Sequence, residues 1–282
     1  MLTFVEAISL AGDRNKQNDD ACGNARDCAW IIDGATDLHT DPISPEASDA
    51  AWIAQVLNAA LHSRAGNAPM TRAQLRGTVE GLIAPRWSEL TNGAPVERWK
   101  LPTASVLIAS DHDGALQGLD LGDCRCFALD AQGAGHSAGS RANATDDEQH
   151  RARDAAKRAG APASLRDPET MAMLRTARAQ HNLPGGSYWV FGLQPECAEH
   201  ARVWTLPLAR PAHVLLCTDG FSALVDRYRA YDAAGIVRAA LDKGLQELGR
   251  ELRAIEAADA SGAQHPRFKR SDDATALLLR LT

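Results

Sequence analysis

The 282-residue chain lacks the marks of several protein classes. Positive charge is not in surplus: 30 lysines and arginines stand against 36 acids, a formal net charge of −6. The basic residues are scattered, so the electrostatic footprint of a nucleic-acid surface is missing. No Cys-x-x-Cys pair occurs. Several of the six cysteines (Cys22, Cys28, Cys124, Cys126, Cys197, Cys217) sit inside apolar runs, which reads as buried, reduced thiols and not as a disulfide framework or zinc site. No apolar stretch approaches the ~18 residues that span a membrane. Residues 1–10 lack a basic leader and are interrupted by Glu6, unlike a signal peptide. The expectation is a soluble, cytoplasmic protein with neither nucleic acid nor membrane as partner.

What is present begins with a repeated phrase. Val214-Leu215-Leu216-Cys217-Thr218-Asp219-Gly220 is an apolar run that ends at Asp-Gly, and Cys28-Ala29-Trp30-Ile31-Ile32-Asp33-Gly34 does the same far upstream. Each reads as a buried strand whose end carries a carboxylate into a cleft, with a glycine that admits close backbone approach. Asp-Gly is also the favoured hairpin turn, and Asp113-Gly114, between two apolar runs, reads as an ordinary one.

Strands are expected at 2–10, 28–33, 103–110, 115–122, 124–129, 187–192, 200–206, 213–218 and 274–281, with the three from 103 to 129 forming a meander. Ser44-Pro45-Glu46 reads as a helix start, followed by Trp52, Ile53, Val56, Leu57, Ala60 and Leu61 on one face. A capping box, Thr71-Arg72-Ala73-Gln74, opens a second helix through Leu75, Val79, Leu82, Ile83, Trp87 and Leu90, kinked and not stopped at Pro85. Residues 135–186 read as a polar, less packed excursion, with one helix capped at Thr145–Glu148 and another over 168–180. A long helical stretch from Asp232 to about Ala258 has break points at Gly244 and Gly249. The apolar segments show no seam, so 1–282 is read as one domain carrying that excursion. Hairpin-linked strands with helices in two blocks argue for α+β: antiparallel sheets with helices packed outside.

Asp20, Asp33, Asp219 and Asp272 abut strand ends, with Asp19, Asp123 and Asp273 beside them. Clustered carboxylates repel unless cations neutralise them. An all-oxygen set points to Mg²⁺ or Mn²⁺ and away from zinc. Arg14, the one arginine in the first acidic segment, is suited to a two-pronged grip on phosphate.

The ordered set Arg14-x-x-Gln17-Asn18-Asp19-Asp20, Asp33-Gly34, Thr103-Ala104-Ser105, Gly122-Asp123-Cys124-Arg125, Thr218-Asp219-Gly220 and Asp272-Asp273-Ala274-Thr275 resembles the metal-dependent protein phosphatases of type 2C over nearly the whole chain. That resemblance implies a four-layer αββα sandwich and two Mg²⁺ or Mn²⁺ ions, with residues 135–186 as a flap. It implies that Asp33 bridges the metals, with the Gly34 carbonyl also coordinating. Asp219 and Asp272 would hold one metal, and Asp20 and Asp19 would act on the other, directly or through water. Asp123 with Asp219 would take a third, weaker metal, and Arg14 would bind the substrate phosphate. The implied reaction is hydrolysis of phosphoserine and phosphothreonine in a protein substrate by a metal-bridging hydroxide. In keeping with this, no nucleophile elbow is expected, and no cysteine has an arginine six positions on. The chain departs from the family pattern at three places: Ala35 stands where histidine is common, Asp19 where glutamate is usual and Asp273 where asparagine is frequent. The alternatives are a catalytically weak or inactive regulatory or binding domain on the same scaffold, or a hydrolase of small phosphoesters.

Overall fold

The computed structural model describes residues 1–64, 68–139, 143–159, 162–186 and 188–282, with backbone alone at 143–148 and 159. In chain order the strands are β1 (Leu2–Leu10), β2 (Asp20–Ala25), β3 (Cys28–Gly34), β4 (Ala104–His112), β5 (Ala115–Leu121), β6 (Arg125–Leu129), β7 (Gly135–Gly139), β8 (Arg202–Leu206), β9 (Ala212–Cys217) and β10 (Ala274–Leu281). The α-helices are α1 (Asp49–Ser63), α2 (Arg72–Thr78), α3 (Ala84–Leu90), α4 (Asn143–Ala159), α5 (Pro168–Ala179), α6 (Asp219–Asp226), α7 (Ala233–Lys243) and α8 (Leu245–Ala258). Two five-stranded antiparallel sheets result, ordered β1-β10-β9-β6-β7 and β2-β3-β4-β5-β8.

The unbroken apolar runs follow from burial on both faces. Side chains alternate along a strand, so in β3 Ala29 and Ile31 meet the opposite sheet while Trp30 and Ile32 meet α1–α3. Likewise Leu277, Leu279 and Leu281 of β10 fill the space between the sheets, and Ala276 and Leu278 face α6–α8. The expected four-layer αββα arrangement is therefore what forms. Trp52 and Trp87 are core residues, with ring centroids 5.2 Å apart. All six cysteines are unpaired, and no helix among the described residues is long and apolar enough to cross a membrane.

Several local expectations are corrected. The polar segment before Cys28 supplies a strand, β2, because pairing with β3 satisfies its backbone. The cap of α1 is Ser48, which accepts from the Ala51 N–H, and not Ser44. The Thr71–Gln74 capping box is present, and a π-helical turn, Val79–Ile83, absorbs the discontinuity at Pro85 between α2 and α3. The 103–129 meander breaks at Gly122: β5 pairs with β4 in one sheet, and β6 pairs with β9 in the other. Residues 188–192 contribute only an isolated bridge, Phe191 to Ala104. Helix α4 starts at Asn143, so the expected cap at 145–148 lies inside it. The long C-terminal helix breaks at Gly244, where φ is +82°, and not at Gly249, which packs against Ile8 and Leu10.

The excursion opens with β7, at the edge of its sheet. Its Gly135-His136-Ser137-Ala138-Gly139 spells Gly-x-Ser-x-Gly, yet Ser137 is exposed in mid-strand. A nucleophile elbow needs a strained strand-to-helix turn, so this pattern is not one.

Truncating Ile31→Ala between the sheets should cost about 2–5 kcal/mol, read from urea unfolding. Val203→Ala, on a side chain 62% exposed, should stay within about 0.5 kcal/mol.

Candidate active site

Antiparallel pairing brings the ends of alternate strands to one edge of the sandwich. Asp20 opens β2 directly opposite Asp33 at the end of β3, and Asp33 in turn faces Ser105 at the start of β4. Asp123 lies where the chain crosses from β5 to β6, Asp219 opens α6 just after β9, and Asp272 precedes β10. The two sheets are tied there by Thr218, whose hydroxyl donates to Asp20 Oδ2 at 3.0 Å and accepts from the Thr275 N–H at 3.0 Å.

The two Asp-Gly glycines have a structural reason. A Cβ on Gly34 would lie 2.5 Å from the Asp19 carbonyl oxygen and 2.7 Å from that of Ala50. One on Gly220 would lie 1.9 Å from the Asp273 carbonyl. The close approach is to the protein's own backbone, so strand ends, helix starts and acids are pressed together.

A cavity of about 510 Å³ opens at this edge. Asp33, Gly34, Asp123, Asp219 and Asp272 line it, as do Arg178 and Lys269. Asp20 sits behind Asp33, 6% exposed, and its Oδ1 is buried with no hydrogen-bond partner. Asp123 accepts from the Ser105 hydroxyl at 2.5 Å and the Tyr188 hydroxyl at 3.1 Å. Burial raises the Asp33 carboxyl well above its ordinary value, and Asp219, Asp20, Asp123 and Asp272 add to the rise. Asp20 is also raised well above the ordinary value, by burial and by Asp273 and Asp272 against hydrogen bonds from Thr275 and Thr218.

Asp19 turns aside. Its Oδ1 accepts from Ser48 at 2.5 Å, and burial lifts its carboxyl to about 6, with Ser48 opposing and Asp273 adding. Asp273, beside Asp272, accepts from the Gly12 and Asp19 N–H groups, each at 2.7 Å, and so anchors the segment that leads into β2. Arg14 is exposed and is not among the cavity-lining residues.

The cations at the cavity come from elsewhere in the chain. Arg178 of α5 donates to the Ala35 and Thr36 carbonyls at 3.5 and 3.3 Å, and Arg175 clamps the Leu38 carbonyl at 2.7 and 3.0 Å. The excursion thus forms a wall of the cavity. Arg151 lines it as well. Nothing in the spacing of these residues singles them out; α5 must first fold over the 35–38 loop. Ala35 lines the cavity beside His181, whose imidazole is pushed down to about 4 by burial, Arg178 and Arg151.

The donor set fits a hard divalent cation: oxygen ligands, an orphaned buried carboxylate oxygen, and acids whose charges oppose one another. Among the described residues, the group with ligand atoms all within 4.8 Å of one another is a different one, Asp37, His39 and Asp49. Its carboxylates have structural duties. Asp37 accepts from the first N–H groups of α1, at 2.7 and 3.2 Å, and Asp49 from those of Ile43 and Ser44.

No protein-family model matches the sequence, and no curated protein matches it. Solved structures do. The serine/threonine phosphatase PstP/Ppp of Mycobacterium tuberculosis superposes with a TM-score of 0.55 at 17% identity, over 99% of this chain and 98% of that one. The PPM Ser-Thr phosphatase MsPP of Mycobacterium smegmatis, in complex with cacodylate, gives 0.55 at 17%, over 99% and 100%. The catalytic domain of PstP with two manganese ions gives 0.54 at 17%, over 99% of each. The chain therefore has the fold of the PPM serine/threonine phosphatases. Within that class the likeness to these mycobacterial phosphatases runs from end to end of the chain.

Asp33 makes the electrostatics testable. Its raised carboxyl favours the protonated folded state, so its contribution to stability is full below the unfolded value of about 3.9 and is lost as pH rises through the raised one. In chelator-treated protein, Asp33→Asn should melt higher than the parent by roughly 2–4 °C for each kcal/mol relieved. The gain should be larger at pH 8 than at pH 5, as differential scanning fluorimetry would show.

Proposed function

We propose that the protein is a metal-dependent phosphatase acting on phosphoserine and phosphothreonine in protein substrates. The observation that carries this reading is the gathering of Asp33, Asp123, Asp219 and Asp272 around a cavity that also holds arginines, at one edge of a PPM fold, with Asp20 paired to Asp33 across β2 and β3. The manganese pair in the PstP catalytic domain and the oxyanion in the MsPP complex support it.

In this reading Asp33, with the Gly34 carbonyl, would be shared by two Mg²⁺ or Mn²⁺ ions. Asp20 would help to hold one ion, Asp219 and Asp272 the other, and Asp123 with Asp219 a third, weaker one. When bound, such ions lower the pKa of water and supply the attacking group near neutral pH. Asp19, whose Oδ1 accepts from Ser48, would act with Asp20 on the same ion, directly or through water. Arg178 and Arg151 take the phosphate-binding part expected of Arg14, because they face the cavity and Arg14 does not. A guanidinium at that wall offers paired donors to phosphate oxygens.

Proton delivery to the leaving group is the weak step. Ala35 has no proton to give, and His181, at about 4, is neutral at pH 7 and offers no imidazolium. The departing alkoxide then draws its proton from water, and turnover depends steeply on the leaving group. The protein should hydrolyse an aryl phosphate faster than a phosphothreonine peptide.

Purified protein with Mn²⁺ should release phosphate from a phosphothreonine peptide, and Asp33→Ala and Asp219→Ala should each lower kcat by roughly 10²–10³-fold. Arg178→Ala should raise KM about tenfold with a smaller effect on kcat. Metal-independent release, or full activity in Asp33→Ala, would sink the proposal.

A further inference from the structure

Lys269 occupies a position that a phosphatase site of this kind has no evident need to fill. It lies three residues before Asp272 in the loop that leads to β10. Its ammonium donates to Asp272 Oδ1 at 2.6 Å and to Thr36 Oγ1 at 2.5 Å. Burial works to lower its pKa, yet Asp272, Asp219 and Asp33 outweigh burial and the net shift is upward. Asp219 and Asp272 are assigned above to one divalent ion, and Asp33 is the ligand that ion would share with the other. Reciprocally, burial would raise Asp272, and Lys269, followed by Arg227, brings it below its ordinary value.

The loop is built to hold Lys269 there. Arg267, 6% exposed, donates to Asp259 Oδ2 and to the carbonyls of Glu256, Asp259, His265 and Arg270. Two residues further on, Lys269 is aimed into the cavity from a backbone fixed to the end of α8. Its own side chain is about a third exposed, as is that of Asp272. A flexible four-carbon stem can swing a hydrated ammonium away without disturbing that backbone.

The geometry points to Lys269 as a resident monovalent cation that contests the Asp33–Asp219–Asp272 carboxylates with a divalent ion. This inference rests on the metal-dependent reading above and extends it. One divalent ion, on the Asp20 side of Asp33, binds without hindrance, while the second binds only as Lys269 leaves Asp272. The protein is accordingly a one-ion form at low metal and a two-ion form at high metal. The released ammonium is then free to pair with an anionic group in the cavity.

The test is isothermal titration of chelator-treated protein with Mn²⁺ at pH 7.5, comparing the parent with Lys269→Met and Lys269→Arg. Mn²⁺ electron paramagnetic resonance would count bound ions, and circular dichroism would confirm the fold. The parent should show a tight and a weak step, and Lys269→Met should tighten the weak step by about tenfold or more by removing a like charge at close range. Lys269→Arg should keep the parent's pattern, and Asp219→Asn combined with Lys269→Met should abolish the tightened step. Should Lys269→Met not fold, Lys269→Gln carries the same expectation. An unchanged or weakened second step in the neutral variant overturns the inference alone. No Mn²⁺ uptake by any variant overturns the metal-dependent reading with it.

Discussion

Mutual repulsion among buried carboxylates is the constraint on which this structure turns. Asp20, Asp33, Asp123, Asp219 and Asp272 meet at one edge of the sandwich, where desolvation and like charge both oppose ionisation of Asp20 and Asp33. The fold answers part of that cost locally. Thr218 serves Asp20, Ser105 and Tyr188 serve Asp123, and Lys269 serves Asp272. Asp20 Oδ1 is left with no hydrogen-bond partner, an arrangement that makes sense at a site whose work is to hold cations and which a purely structural edge would have no reason to keep.

Around those acids the architecture is one of backbone struts. Gly34 and Gly220 let the ends of β3 and the start of α6 sit against neighbouring carbonyls. Asp273 draws the Gly12 and Asp19 amides together across the ends of the chain. The excursion is joined to the same edge by Arg175 and Arg178, whose guanidinium groups grip carbonyls of the 35–38 loop. What resembles a peripheral insertion in the sequence is therefore a wall of the cavity, and it brings arginines to the acidic edge beside Lys269.

The sheets were legible because their chemistry is local. Period-two burial on two covered faces writes itself as the uninterrupted runs of β3, β9 and β10. The Thr71–Gln74 capping box likewise needs only neighbours in sequence. Other features were not legible, each for a long-range reason. β2 is absent from the strands expected from sequence and forms by pairing with β3. The change of sheet at Gly122 leaves no mark that separates it from a hairpin. Ser44 reads as the cap on paper, whereas Ser48 caps α1 and Asp49 accepts from the Ile43 and Ser44 amides outside the helix. Leu241 falls on the apolar face of α7 by spacing and is nonetheless 40% exposed.

The candidate site divides in the same way. By itself the sequence determined the acids: carboxylates at the ends of apolar runs, each beside glycine, threonine or a second acid, in an order that implied the fold. Tertiary structure alone decided the cations. Arg14 has the right neighbours in the chain and faces solvent, whereas Arg178 and Lys269 have undistinguished neighbours and face the acids. The reason is physical: a strand end fixes its carboxylate by backbone geometry that local sequence encodes. A lysine or arginine on a long flexible stem goes wherever the assembled fold concentrates negative charge.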